Sequence, residues 1–129
     1  MKYVYPAILT PVGNDEYDVR VPDLPGCHTC GTGLAEAITM AEDAVAMWLW
    51  DAENKKEKIP AATKALAAEQ PQFVSYIVAD TDEYRKKYDS RAVKKTLTIP
   101  AWLNARAEAE GVNFSATLQA ALKEQLHVE

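Results

Sequence analysis

Two thiols and an imidazole fall within four residues at Cys27-His28-Thr29-Cys30. The segment invites a metal or redox reading. A zinc site needs about four ligands, and the other histidine, His127, lies far along the chain. A thioredoxin-like pair precedes a helix in a βαβ unit, whereas this segment closes a run of β character. It reads as two strand-end cysteines. The rival is a zinc- or redox-responsive small regulator or enzyme using the Cys27/Cys30 loop. Asp15, Asp18, Asp23 and Asp80 form a second set. Metal-assisted phosphodiester cleavage needs carboxylates that converge on ions. Asp15 sits in a turn signal, Asp18 faces outward by alternation, and Asp23 lies between prolines. No convergence is expected, and His28 has no evident partner as a general base. Neither a catalytic residue nor a resident metal or cofactor is expected, so the chain reads as a binding protein.

The third set suits nucleic acid. In Val93-Lys94-Lys95-Thr96-Leu97-Thr98-Ile99, alternation puts Leu97 and Ile99 on one face and Lys94, Thr96 and Thr98 on the other. Threonine alone is a good strand former; Pro100 and a helix opening at Asn113-Phe114-Ser115 make the pattern more specific. A two-stranded ribbon fits the major groove, where such side chains reach base edges. The helix N-terminus at Asn113, Phe114 and Ser115 can hold a phosphate. Alternation leaves Lys95 on the apolar face, where its stem can cover apolar surface. Either Lys94 or Lys95 can be the nearer contact to DNA.

The fourth set lies on a helix expected from about Leu34 to Glu53. Leu34, Ile38, Ala41, Val45, Trp48 and Leu49 make its core stripe at the helical period. Met40, Met47 and Trp50 gather opposite, interleaved with Glu36 and Asp43. Two methionines and a tryptophan on the polar side call either for cover by the chain's own fourth strand, joint or loops, or for a protein partner. Acidic neighbours suit a basic partner.

Other elements must position these sets. Residues 3–9, 17–21 and 27–30 read as strands, with a turn at Gly13-Asn14-Asp15-Glu16 and a rigid loop at Pro22–Gly26. Pro6 suits an edge or a strand end. After the long helix, an alanine-rich stretch between Pro60 and Pro71 reads as loop or marginal helix. Phe73–Ala79 reads as a buried strand, Asp80–Tyr88 as a short capped helix, and Asp89-Ser90-Arg91 as a polar joint. The tail strand at 93–99 precedes helices at Trp102–Glu110 and Phe114–His127. Gly111 ends the first of these and Asn113 caps the second. The fold class is α+β.

The chain's 129 residues carry a net charge of −5 and are 48% hydrophobic. That composition excludes disorder throughout and argues against a general nucleic-acid coat. Residues 1–90 sum to −6 and residues 91–129 to +1, which suggests two modules with different partners. No apolar run is long enough to span a bilayer, and the N-terminus does not read as a signal peptide. A cytoplasmic location is expected. The tail, under about 40 residues with one unpaired strand, cannot bury itself alone. A second copy supplies the missing strand.

Residues 91–126 resemble a ribbon-helix-helix DNA-binding domain, through Lys94-x-Thr96-Leu97-Thr98-Ile99-Pro100 and Gly111-Val112-Asn113-Phe114-Ser115. Residues 1–90 resemble the N-terminal domain of the HicB antitoxin family. That resemblance rests on Tyr5-Pro6-Ala7, Val21-Pro22-Asp23-Leu24-Pro25-Gly26-Cys27, Gly31, Glu36-Ala37 and Trp48-Leu49. It implies a partial ribonuclease-H-like body that blocks a small RNA-cleaving toxin of the HicA type. It also implies a tail that represses the operon by binding operator DNA as a homodimer. Pairing of the bodies into a tetramer is left open.

Overall fold

The computed structural model describes residues 1–89 and 91–129; Ser90, within the expected polar joint, lies outside the described residues. The chain divides into two units, Met1–Arg91 and Ala92–Glu129.

The first unit contains β1 (Lys2–Gly13), β2 (Glu16–Arg20), β3 (His28–Thr32), α1 (Leu34–Asn54), β4 (Phe73–Asp80) and α2 (Thr81–Tyr88). The strands form one antiparallel sheet in the order β3-β2-β1-β4. Asn14 and Asp15 both take positive φ, 54° and 60°, which suits the right-handed twist of a tight hairpin between β1 and β2. Pro6 does not lie at a strand end. It sits inside β1, paired with Tyr76 of β4, while pairing with β2 begins only at Ile8. At Pro6 the sheet is therefore one-sided, and a missing amide donor is tolerated there.

Alternation along β1 sends Tyr5, Ala7 and Leu9 to the α1 side, opposite Ile77, Ser75 and Phe73. With Val19, Leu24, Val45 and Leu49 they build the core. The α1 stripe differs from its expected position. The buried residues are Ala37, Ala41, Val45, Ala46, Leu49 and Ala52. Leu34 is exposed, and Ile38 and Trp48 are only half-buried. The helix lies too close to the sheet for large side chains: a Cβ on Gly31 would come within 2.6 Å of the Ala37 amide nitrogen. The alanines take that face, and Trp48 turns aside to donate its indole N–H to the Pro25 carbonyl at 3.0 Å.

The strand expected to be buried, β4, is an edge strand with Tyr76 and Val78 exposed. Its apolar run resembles that of a central strand, but only Ile77 and Ala79 are buried. The long connection before it is a loop. Asp23 fastens that loop by accepting from the Thr63 amide and hydroxyl at 2.8 and 2.6 Å.

The second unit contains α3 (Ala101–Ala109) and α4 (Phe114–Leu126). The strand expected at Val93–Ile99 is not formed in the single chain; residues 92–100 carry no regular secondary structure. A strand needs a ladder partner, and this unit contains no other strand.

Candidate interaction surfaces

The outward face of α1 carries Met40 and Met47, 42% and 51% exposed, beside Glu36 and Asp43, which are also exposed. The helix has five acidic residues and no Lys or Arg. Trp50 departs from this group. It is half-buried, its ring centre 5.6 Å from that of Tyr84, which in turn stands 4.6 Å from Tyr88. Its indole nitrogen is buried and has no hydrogen-bond partner among the described residues. The chain's own α2 thus covers Trp50 and leaves both methionines open. A groove of about 590 Å³ runs between α1, β4 and α2, lined among others by Asp43, Ala46, Val78, Tyr84 and Tyr88. The aromatic pair on α2 was not singled out in the sequence, although its i, i+4 spacing marks one helix face.

α2 is held where it is by two devices. Asp80 caps it, accepting from the amides of Asp82 and Glu83 at 3.0 and 3.3 Å. Desolvation pushes the Asp80 carboxyl up, but these bonds and the neighbouring amino terminus outweigh it and leave the pKa below the usual carboxylate value. Glu53, near the end of α1, accepts from Arg85 at 2.9 Å and from the Tyr3 hydroxyl at 2.8 Å. Burial and then that bond push the Tyr3 phenol up to about 12. Arg85 also places a cation by the C-terminus of α1, the favourable end of the dipole.

The carboxylates weighed as a nuclease set stay apart in role. Asp15 is in the β1–β2 turn, Asp18 is paired across from Cys30, Asp23 is bound to Thr63, and Asp80 caps α2. Among the described residues no three of His, Cys, Asp and Glu gather as metal ligands. The two thiols diverge. Cys27 is buried in the core cluster, which raises its pKa, while Cys30 is exposed beside Asp18, Arg20 and His28 on the opposite face of the sheet.

In the second unit, Lys94, Lys95, Thr96 and Thr98 are all exposed along the segment before α3. Asn113 caps α4, its side-chain oxygen accepting from the Ala116 amide at 3.0 Å. Ser115 accepts from the Gln119 amide group at 3.1 Å, and Phe114 is 44% exposed. Neither helix has a buried residue. Leu97, Ile99, Leu103, Leu118, Leu122 and Leu126 are all exposed.

Residues 5–121 match the family model of the HicB-like antitoxin of bacterial toxin–antitoxin systems. An uncharacterised 14.9 kDa protein from the rep–hol intergenic region of Haemophilus phage HP1 is 31% identical over 106 residues, covering 81% of this chain and 79% of its own. One chain of a toxin–antitoxin complex from Streptococcus pneumoniae is similar with a TM-score of 0.61 and 24% identity, covering 97% of this chain and 99% of its own. The antitoxin HicB of Burkholderia pseudomallei is similar with a TM-score of 0.53 and 20% identity, covering 96% of each chain. At these identities the two solved structures speak for the fold. No helix among the described residues is long and apolar enough to cross a membrane.

Proposed function

Since the chain belongs to the HicB-like antitoxin family of bacterial toxin–antitoxin systems, we propose that it captures a HicA-type mRNA-cleaving toxin with its first unit and represses its own operon with its second. The first unit is read as a partial ribonuclease-H-like fold that acts by occlusion, not catalysis. The second is read as a ribbon-helix-helix module, working on operator DNA in the cytoplasm.

The observation that carries the reading is the state of the second unit. The two helices leave Leu103, Leu118, Leu122 and Leu126 in water, and the segment before them exposes Leu97 and Ile99 and has no ladder partner among the described residues. Exposure on this scale marks an unmade interface. A second copy meets both needs: the 93–99 segments pair antiparallel, and the helices bury their apolar faces against one another. Leu97 and Ile99 then face inward, and Lys94, Thr96 and Thr98 face the groove. Lys95 stays at the margin. With Asn113 engaged in capping, the amides of Phe114 and Ser115 at the positive end of α4 are left to meet a backbone phosphate.

For the first unit, the acidic α1 face with Met40 and Met47 complements a basic RNA-cleaving partner. Glu36 and Asp43 steer it, and the methionines adapt to its surface. Trp50 contributes from beneath by fixing α2.

Co-expression with the product of the neighbouring gene, followed by co-purification and operator titration, tests both halves. A chain ending at Asp89 is expected to retain the toxin and lose operator DNA. Operator binding as tight as that of the full chain would overturn the division of labour.

A further inference from the structure

Two helical turns separate Met40 from Met47, so the two thioethers stand on one face of α1 about 10 Å apart. Both are exposed, and neither belongs to the core cluster. The chain's own cover stops short of them: Tyr84 packs on Trp50 and leaves the methionines in water. Thioethers so placed are open to two-electron oxidation, and the product, a sulfoxide, is polar. In a core that change disrupts packing; here there is no core packing to disrupt. The remaining sulfurs lie elsewhere. Cys27 is buried, Cys30 is on the far face of the sheet, and Met1 precedes β1. The surrounding charge selects the oxidant. With five acidic residues and no Lys or Arg, α1 disfavours anions such as hypochlorite and leaves neutral hydroperoxides free to approach.

We propose that Met40 and Met47 form a reversible modification site, at which hydroperoxides turn the toxin-capturing face into one that no longer holds toxin. The proposal rests on the reading of this face as the toxin surface. Each sulfur lone pair attacks one peroxide oxygen. An S–O bond forms, the O–O bond breaks, and the other oxygen takes up a proton and leaves as water or alcohol. The sulfur loses two electrons and the peroxide gains them. A dithiol reductase reverses the step, becoming a disulfide and releasing the oxygen as water. A thioether gives up little hydration when a partner covers it. A sulfoxide must surrender its hydrogen bonds to water, and two of them on one face oppose burial. Because neither side chain belongs to the core, the chain stays folded while its capture surface is switched off. Bound toxin covers both sulfurs, so the modification acts on the free chain and blocks the capture of further toxin.

The test uses the full chain carrying Cys30→Ser, which removes the exposed thiol. It is treated with hydrogen peroxide, freed of the oxidant and titrated with the neighbouring gene's product. Mass mapping should find an added oxygen on both Met40 and Met47. Toxin affinity should fall roughly tenfold, and the urea midpoint should not move. Methionine sulfoxide reductase with a dithiol should restore the affinity. Met40→Leu/Met47→Leu in the same background keeps apolar side chains of similar volume and should hold its affinity through the treatment. An equal loss in that doubly substituted chain overturns the proposal, as does a lowered urea midpoint, or peroxide that reaches Met1 and spares Met40 and Met47. The capture reading fails separately. An untreated chain that does not bind toxin overturns that reading and this site together, whereas binding indifferent to both sulfoxides overturns the site alone.

Discussion

Gly31 and Ala37 are in backbone contact: a Cβ added at Gly31 would stand 2.6 Å from the Ala37 nitrogen and 2.7 Å from its Cα. Gly31→Ala must therefore lift α1 off β3, at a cost of about 1–3 kcal/mol. Ala37→Gly should not relieve it, because the clash is with main-chain atoms. Urea unfolding of both variants checks this, and an unchanged midpoint for Gly31→Ala would show slack between helix and sheet.

The two cysteines should react separately. Cys27 is 6% exposed and its thiol is raised by burial, whereas Cys30 is exposed. A thiol-specific chromogenic reagent should consume one thiol per folded chain and the second only in denaturant. Cys30→Ser should abolish the fast reaction. Two fast thiols in the folded protein would contradict the packing of the Pro22–Gly26 loop.

Acid should weaken the anchoring of α2. The folded-state pKa of Asp80 lies below its ordinary 3.8, so its contribution is complete above that value and is lost as pH falls through the lower one. Asp80→Asn keeps an N-cap acceptor but cannot titrate. Its stability should therefore vary less between about pH 4 and pH 2 than that of the unmutated chain, as urea midpoints across that range would reveal. Equal slopes would remove Asp80 from the acid response.

Contacts to DNA should separate by kind. Thr96→Ala or Thr98→Ala should lower discrimination between operator and random duplex by about 1–3 kcal/mol at most per lost base contact. Lys94→Ala should weaken both duplexes and flatten the salt dependence by about one unit per phosphate contact and chain. Titrations at several salt concentrations measure both effects. Unchanged affinity and slope in all three variants would exclude this face.

Two substitutions on α1 should part company. Met47→Arg alters an exposed residue and should weaken toxin capture roughly tenfold, about 1.4 kcal/mol, with the urea midpoint unchanged. Trp50→Ala removes the platform under Tyr84 and should lower the midpoint as well. Calorimetric titration beside urea unfolding distinguishes them, and Met47→Arg with full toxin affinity would place the interface elsewhere.

Local signals made much of this fold legible. The Gly13–Glu16 turn, the Asp80 and Asn113 caps and the long helix all depend on short-range chemistry, and each lies where its residues put it. Side-chain destinations were harder to read. Periodicity finds the apolar face of α1 but not how near the sheet will come, and it is Gly31 that admits alanines and turns Leu34 outward. An apolar run such as Phe73–Ala79 reads alike at the centre and at the edge of a sheet. Trp50 stood out by type on the polar side of α1, but its cover comes from Tyr84, more than thirty residues away. For Val93–Ile99 the alternation is that of a strand, but a strand also needs a ladder partner, and its own unit contains none.

The second unit has no side chain out of reach of water in a single chain. If two such units make the DNA-binding form, its formation is a second-order process. While single chains predominate, the active form then rises with the square of the free-chain concentration. Halving the supply of free chains would cut it to about one quarter. Operator occupancy would accordingly respond to changes in supply more steeply than the supply itself changes, giving a threshold set by chain number and requiring no effector molecule.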